Sequence, residues 1–304
     1  MKIYINSANE DWICDRLRFE FYNHLKENCV SFIEEADVIW VMAPWVFNYH
    51  DPILSEKKVV TTIHHIDPNK IDLNFLSLIN EKSDFIHFVS EINEFNNKKY
   101  FTKPTFSRHW WINSSIFKPT DKSSCLDYFD LPNDKFYVGS FQRDTEGSDL
   151  ISPKLSKGPD LFCDIVEDMY SKNNSVHVLL AGWRRQYVIN RLNQKNIPYT
   201  YKEMLSFEEL NLFYNCLDLY IVSSRCEGGP QAIPECASTK TPIVSTNVGC
   251  ANTFLSEDSI YNDLNNFYLA RKDTAKAYEN CVPYFMARGL NWFYLKFKDL
   301  FVVK

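Results

Sequence analysis

Ser223 to Cys236 reads SSRCEGGPQAIPEC, and this stretch decides how the chain is read. The run before it, DLYIVSS (Asp218 to Ser224), has the length and apolar content of a strand. Glu227 follows, then Gly228 and Gly229, then Pro230, a residue suited to the first position of a helix. The pattern predicts a helix over PQAIPECAST (Pro230 to Thr239) whose free N–H groups, those of Gly229 and Gln231 included, aim back at the strand end. A glycine turn feeding a helix N-terminus is an anion site. Glu227 and Glu235 flank that site and would repel a phosphate, so they need hydroxyl partners. A nucleotide that carries a sugar offers hydroxyls on both sides of its diphosphate. Glu227, in the loop, is expected to take the sugar, and Glu235, further along the helix, the ribose. Taken singly, Glu227 also reads as a solvated loop residue and Glu235 as a carboxylate favoured by the helix dipole; the constellation favours the binding reading.

The glycines point the same way. The chain has 304 residues and 8 glycines, all at or after Gly139. Gly139, Gly182, Gly228, Gly229 and Gly249 follow or end strand-like runs. In open α/β sheets ligands bind at the carboxyl ends of strands, and glycine lets backbone approach a ligand closely. The second half is therefore expected to hold something phosphate-like.

Working outward, strand-like and helix-like segments alternate. Strands are expected at Lys2–Ser7, Val38–Ala43, Lys58–His64 and Asp84–Ser90, with helices at Trp12–Lys26 and Leu73–Lys82. The rhythm breaks from Phe106 to Ser124, with a linker expected near Lys118 to Ser124. A second series follows. It has strands at Phe136–Phe141, Ser175–Gly182, Asp218–Ser224 and Thr241–Gly249, and helices at Pro159–Lys172 and Ser206–Cys216, the latter opened by a Ser206/Glu209 capping box. Length and alternation together predict two doubly wound α/β domains, residues 1–118 and 119–285, with a closing helix over 286–304 that returns to the first.

Composition narrows the function classes. A net charge of −6 gives no support to nucleic-acid binding. The N-terminus has no signal-peptide pattern, the longest strongly apolar run (Val38 to Phe47) is too short for a bilayer and contains Pro44, and no basic amphipathic helix is evident. A cytoplasmic protein without a firm membrane anchor is expected. The nine cysteines form no C-x-x-C pair and read as buried thiols. No D-x-D occurs, so neither a metal nor another cofactor is expected.

The stretch SSRCEGGPQAIPECASTKTPIVSTNVG resembles the signature of retaining glycosyltransferases of the GT-B fold, family 4: a glutamate, seven residues, a second glutamate, small residues, then TPIV. LSFEELNLFYNCLDLYIVSS, FYVGSFQRD and SKGPDLF resemble the segments before it, VVTTIHHID and FVSEIN resemble first-domain segments, and ARGLNWFYLKFKDLF resembles the final crossing helix. The resemblance is specific from Tyr137 to Asn252. It implies two Rossmann-like domains facing across a cleft and a hexosyltransferase-type enzyme. The substrates would be a nucleotide-diphosphate sugar as donor and a glycan or other hydroxyl compound as acceptor. It places Lys157 and Arg143 on the diphosphate, with Lys154, Arg184 and Arg185 as further candidates. Arg143 departs from the pattern, because Ser140 stands where the family's arginine follows the glycine. Donor contacts fall to Gly228, Gly229, Pro230, Gln231 and Glu235, and catalytic roles to Glu227 and His64. His64 otherwise reads as a strand-end histidine bonded to backbone. NSANEDW (Asn6 to Trp12) replaces the family's glycine-rich loop after the first strand, so no acceptor contact carries over there. Trp110, Trp111, Trp45 and Phe47 read as core rather than as sugar platforms; facing the cleft is the secondary reading for Trp45 and Phe47, which follow a strand end. Three rivals stand beside this reading. A two-carboxylate hydrolase would need no phosphate contacts; a non-catalytic nucleotide-sugar-binding protein would not turn over; a GT-B epimerase would need no acceptor.

Overall fold

The computed structural model describes residues 1–10 and 13–301, so the helix start expected at Trp12 and the last residues of the closing helix, 302–304, lie outside the described residues. The chain divides into two compact units: Met1–Trp111 with the segment from Tyr284 onward, and Ile112–Pro283. The first division falls ahead of the linker expected at Lys118–Ser124. Trp110 and Trp111 are buried in the first core. From Phe117 onward the backbone is tied to the second unit, with Phe117 O accepting from Ser238 Oγ and Lys118 N donating to Asn211 Oδ1 at 2.9 Å. The polar cluster read as linker is a helix start instead. Asp121 accepts from Ser124 N at 2.9 Å and caps a helix over Lys122–Tyr128.

The first unit is built on five parallel strands in spatial order: β1 (Ile3–Ile5), β2 (Val38–Val41), β3 (Lys58–Ile63), β4 (Phe85–Phe88) and β5 (Thr105–Ser107). Its helices are α1 (Ile13–His24), α2 (Leu73–Lys82) and α3 (Glu91–Asn97). After α1 the chain does not go straight to β2. Cys29 first forms a parallel bridge to Ile3 on the outer edge of β1, and Val30 N donates to Ile3 O at 3.0 Å. Only then does it cross to β2 on the other side. The connection therefore reverses direction at β1, and right-handed crossovers in opposite directions cover opposite faces. Burial agrees. Leu17 and Phe21 of α1 pack with Val38 and Trp40, whereas Leu76 and Ile79 of α2 pack with Ile39 and Val41. Successive residues of β2 thus serve two cores.

The returning helix, Met286–Phe301, completes the first of these cores. Phe293 stacks on Trp40 at 4.9 Å between ring centroids, and Phe297 meets it edge-on at 4.9 Å. Gly289 lets that helix close in, because a Cβ there would stand 2.7 Å from Trp111 Cβ and 2.8 Å from Tyr284 O.

In the second unit six parallel strands run in the spatial order β8 (Tyr199–Lys202), β7 (Val176–Ala181), β6 (Phe136–Ser140), β9 (Leu219–Val222), β10 (Ile243–Thr246) and β11 (Ile260–Tyr261). Counted from β6 this is 3-2-1-4-5-6, the dinucleotide-fold order, with its reversal between β6 and β9. The helices are α4 (Lys122–Tyr128), α5 (Pro159–Lys172), α6 (Gln186–Gln194), α7 (Phe207–Asn215), α8 (Ala232–Thr239), α9 (Ala251–Phe254), α10 (Leu264–Phe267) and α11 (Thr274–Cys281). The Ser206/Glu209 capping box is present at α7. No described helix is long and apolar enough to cross a membrane.

Candidate active site

The crevice between β6 and β9 is assembled by stitching three loops together. Gly158 has φ +60 and caps α5; a Cβ there would overlap the Ser223 carbonyl, so only glycine lets this turn lie against the end of β9. Arg225 N and Cys226 N donate to Ser156 O at 2.8 and 3.0 Å. The Arg225 guanidinium grips both oxygens of Asp160 at 2.7 Å each. From the loop after β6, Gln142 Nε2 donates to Lys157 O at 2.9 Å, and Ser224 Oγ donates to Gln142 Oε1 at 3.2 Å.

This framework presents Lys157 and Glu227 to each other. Lys157 Nζ pairs with Glu227 Oε1, and Ser224 Oγ donates to the same oxygen at 3.3 Å. Glu227 is 9% exposed, so the expected loop acid is held inside the crevice rather than in bulk water. Lys154 is part of the same patch. Its amide donates to Asp144 O at 2.8 Å, which pins it beside the loop that carries Arg143. Burial first, then the neighbouring Lys157 and Arg143 cations, push the Lys154 ammonium below the ordinary lysine value. Its ammonium makes no hydrogen bond or ion pair among the described residues. Lys154, Lys157 and Arg143 thus share one patch with the carboxylates of Glu227 and Glu146, which leaves one positive charge in excess.

The other candidate cations differ. Arg185 is buried: its Nε donates to Asp144 Oδ2 at 3.0 Å, and Nη1 donates to Ser140 O and to Ala181 O at 3.0 Å. It braces the ends of β6 and β7 and is unavailable to a ligand, which corrects its candidacy. Arg184 takes φ +60 and donates to Gly147 O. Arg143 donates from Nε to Thr145 O at 2.7 Å, which leaves its terminal nitrogens for other partners.

The quoted stretch departs from expectation at Pro230. The helix begins at Ala232, after Gln231, and Pro230 stands before it. Pro230 serves the turn through its carbonyl, which accepts from Ile233 N at 3.0 Å and from Cys250 Sγ at 3.7 Å. Gly228 and Gly229 have no left-handed backbone; the positive φ belongs to Gly249, +54, whose missing side chain makes room for Gly228 O and Pro230. Glu235 is 4% exposed and its Oε2 accepts from Tyr214 Oη at 2.9 Å. The sequence reading missed Ser224 and Gln142. Both stand two residues past a strand end, the one signal that marks them.

His64 belongs to the first unit. Its Nε2 donates to Met42 O at 2.8 Å, which fixes the tautomer and leaves Nδ1 as an acceptor. Burial lowers its pKa to about 4, so the ring is neutral at pH 7. Trp45 and Trp110 lie 5.4 and 5.7 Å away, centroid to centroid. Among the described residues no group of three or more His, Cys, Asp or Glu side chains is placed to hold a metal ion.

The fold has known counterparts. HepE of Anabaena, solved in complex with UDP, superposes with a TM-score of 0.79 at 12% identity, covering 98% of this chain and 100% of that one. Sucrose-phosphate synthase from Thermosynechococcus elongatus gives 0.67 at 15% identity over 97% and 81% of the two chains. A glycosyltransferase from Rickettsia africae gives 0.67 at 16% over 98% and 84%. No curated protein sequence matches. At these identities the likeness defines the class by fold: GT-B, two Rossmann-like domains. In sequence, residues 150–283 match the model described as glycosyl transferases group 1.

Proposed function

We propose that this enzyme transfers a sugar, with retention of anomeric configuration and without a metal ion or other cofactor, from a nucleotide-diphosphate sugar to an acceptor hydroxyl. The observation that carries the donor side is the Lys157–Glu227 pair at the strand reversal of the second unit, with Lys154 and Arg143 beside it. A diphosphate offsets the positive charge that Lys157, Lys154 and Arg143 hold in excess of Glu227 and Glu146. An ammonium has three N–H donors, so Lys157 can hold a phosphate oxygen and remain beside Glu227. Glu227 then accepts from a hydroxyl of the donor sugar, and Glu235 is assigned to the ribose. The amides of Gly229 and Gln231 and the small residues Gly228 and Pro230 line the sugar and phosphates.

In the reaction the bond from C1 to the diphosphate oxygen breaks and the bond from C1 to the acceptor oxygen forms on the same face. The acceptor proton passes to the departing diphosphate. The transition state carries positive charge on the ring and growing negative charge on the leaving group, which Lys157, Lys154 and Arg143 stabilise. Neutral His64, on the acceptor side, is too weak a base to take the proton at pH 7; its Nδ1 accepts a hydrogen bond from a hydroxyl and orients it. Uridine is the proposed base, because HepE was solved in complex with UDP and with UDP-glucose.

A thermal-shift series with UDP, GDP and ADP tests the donor side. UDP is expected to raise the melting temperature, since a ligand that binds only the folded form stabilises it. Turnover of a UDP-sugar should fall about 10²–10³-fold in Glu227→Ala. If no nucleoside diphosphate raises the melting temperature, the proposal is wrong.

A further inference from the structure

The first unit also has a strand reversal, at β1, and it carries no glycine and no cation cluster. There, Asn6 ties the two strand ends together: its Nδ2 donates to Ala43 O at 2.8 Å, and its Oδ1 accepts from Met42 N and Ala43 N at 2.8 and 3.1 Å. Above it Trp45 Nε1 donates to Glu10 Oε1 at 3.0 Å, joining the loops after β1 and β2. The loop that carries Glu10 is itself fixed. Asp15 accepts from Ser7 Oγ at 2.7 Å, Ala8 N at 2.9 Å, Asn9 N at 3.3 Å and Glu10 N at 2.8 Å. The indole meets His64 at one side and is 48% exposed.

A large aromatic ring half in water, with its polar edge anchored and a carboxylate next to it, has a specific chemical use. The ring face is electron-rich and attracts the C–H groups on the apolar face of a pyranose. Glu10 keeps a second oxygen to accept from a ring hydroxyl, and the neutral His64 accepts another. The site lies where open parallel sheets bind ligands, outside the carboxyl ends of strands at a reversal. We infer that Trp45, Glu10 and His64 form the acceptor subsite, and that the acceptor is a neutral pyranose ring, alone or ending a glycan. A carboxylate at the platform disfavours an acidic sugar by like-charge repulsion. This inference rests on the proposed transfer reaction for its biological meaning but is tested without it.

Saturation-transfer NMR on the full chain at millimolar ligand uses the methyl glycosides of glucose, galactose, mannose and N-acetylglucosamine, methyl glucuronide as an acidic ring, and glycerol as an acyclic polyol. At least one neutral pyranoside should receive saturation, and glucuronide and glycerol should not. The signal should fall about tenfold in Trp45→Ala, the size of one lost aromatic contact, and partly in Glu10→Gln, while Trp45→Phe retains much of it. Trp183→Ala, a change at another exposed indole, should leave it intact. No saturation of any neutral pyranoside, or saturation unaffected by Trp45→Ala, overturns the inference; saturation lost instead in Glu227→Ala places the sugar in the second unit and overturns it too. UDP stabilisation of the same samples checks folding and separates the two failures: UDP binding without pyranoside binding removes this inference alone.

Discussion

Both sheets reverse direction beside their first strand, but what stands at the two reversals differs. At β6/β9 the loops are drawn together by glycine and charge: Gly158 against Ser223, Gly249 against Gly228 and Pro230, Lys157 against Glu227, Arg225 against Asp160. At β1/β2 they are joined by Asn6 and by the Trp45–Glu10 bond, while Asp15 holds the loop after β1, with no glycine involved. A diphosphate must be met by backbone and by cations, so its crevice needs residues without side chains and residues with long charged ones. A sugar ring is met by side-chain faces and by acceptors, so its platform needs neither. The first unit spends its one glycine, Gly289, on docking the returning helix onto Trp111.

The largest effect is expected at the buried pair Arg185–Asp144, which joins the ends of β6 and β7 to α6. Asp144→Ala leaves a buried guanidinium unpaired and should cost about 3–5 kcal/mol. Denaturant unfolding should register that loss, whereas an effect under about 1 kcal/mol would mean that the pair does not organise this unit.

The first unit should fail differently, under acid. Trp40 Nε1 donates to Thr62 Oγ1 at 2.9 Å, Thr62 meets His87 Nδ1 at 3.0 Å, and His87 Nε2 donates to Arg108 O at 2.8 Å. Burial holds the His87 pKa at about 3. Below the ordinary histidine value of about 6.5 the unfolded chain binds a proton that the folded chain refuses. Stability is therefore complete above about pH 6.5 and falls by about 1.4 kcal/mol per pH unit from this group until pH 3, with His64 adding to the loss down to about pH 4. A melting-temperature profile from pH 7.5 to 4 checks it, and His87→Gln should flatten the slope.

Glycine substitutions give smaller effects that separate the two uses of glycine. Gly158→Ala should cost about 1–3 kcal/mol and abolish UDP binding, because the turn can no longer lie on Ser223. Gly289→Ala should cost about 1–3 kcal/mol by overpacking yet leave UDP binding intact. Calorimetry with and without UDP distinguishes them.

Much of this was legible in the chain itself. The helices over Leu73–Lys82 and Pro159–Lys172 follow from apolar periodicity and flanking caps, and the Ser206/Glu209 box from its spacing. Glu227 was identifiable because it follows a strand end and borders glycine, and Lys157 because SKGPD resembles the family's lysine position. Other features were hidden for physical reasons. The bridge at Cys29 is one residue wide and leaves no alternating pattern, so the reversal at β1 cannot be read from sequence. The short β8, Tyr199–Lys202, alternates too briefly to stand out, and so does β11. Arg185 and Lys154 look alike as basic residues near a glycine, and only the fold decides that one is buried on Asp144 while the other faces the crevice. Pro230 carried a helix-start signal that the turn at Gln231 displaced by two residues.

On the proposed function Lys157, held beside Glu227, grips a diphosphate. Titrating UDP into the intact chain and into Lys157→Met by calorimetry tests it most directly. Truncating one partner of a charge-assisted contact of this kind should weaken binding by about 2–3 kcal/mol, close to a hundredfold, with the Trp45→Ala control unchanged. Equal affinity in the wild type and Lys157→Met would contradict the claim.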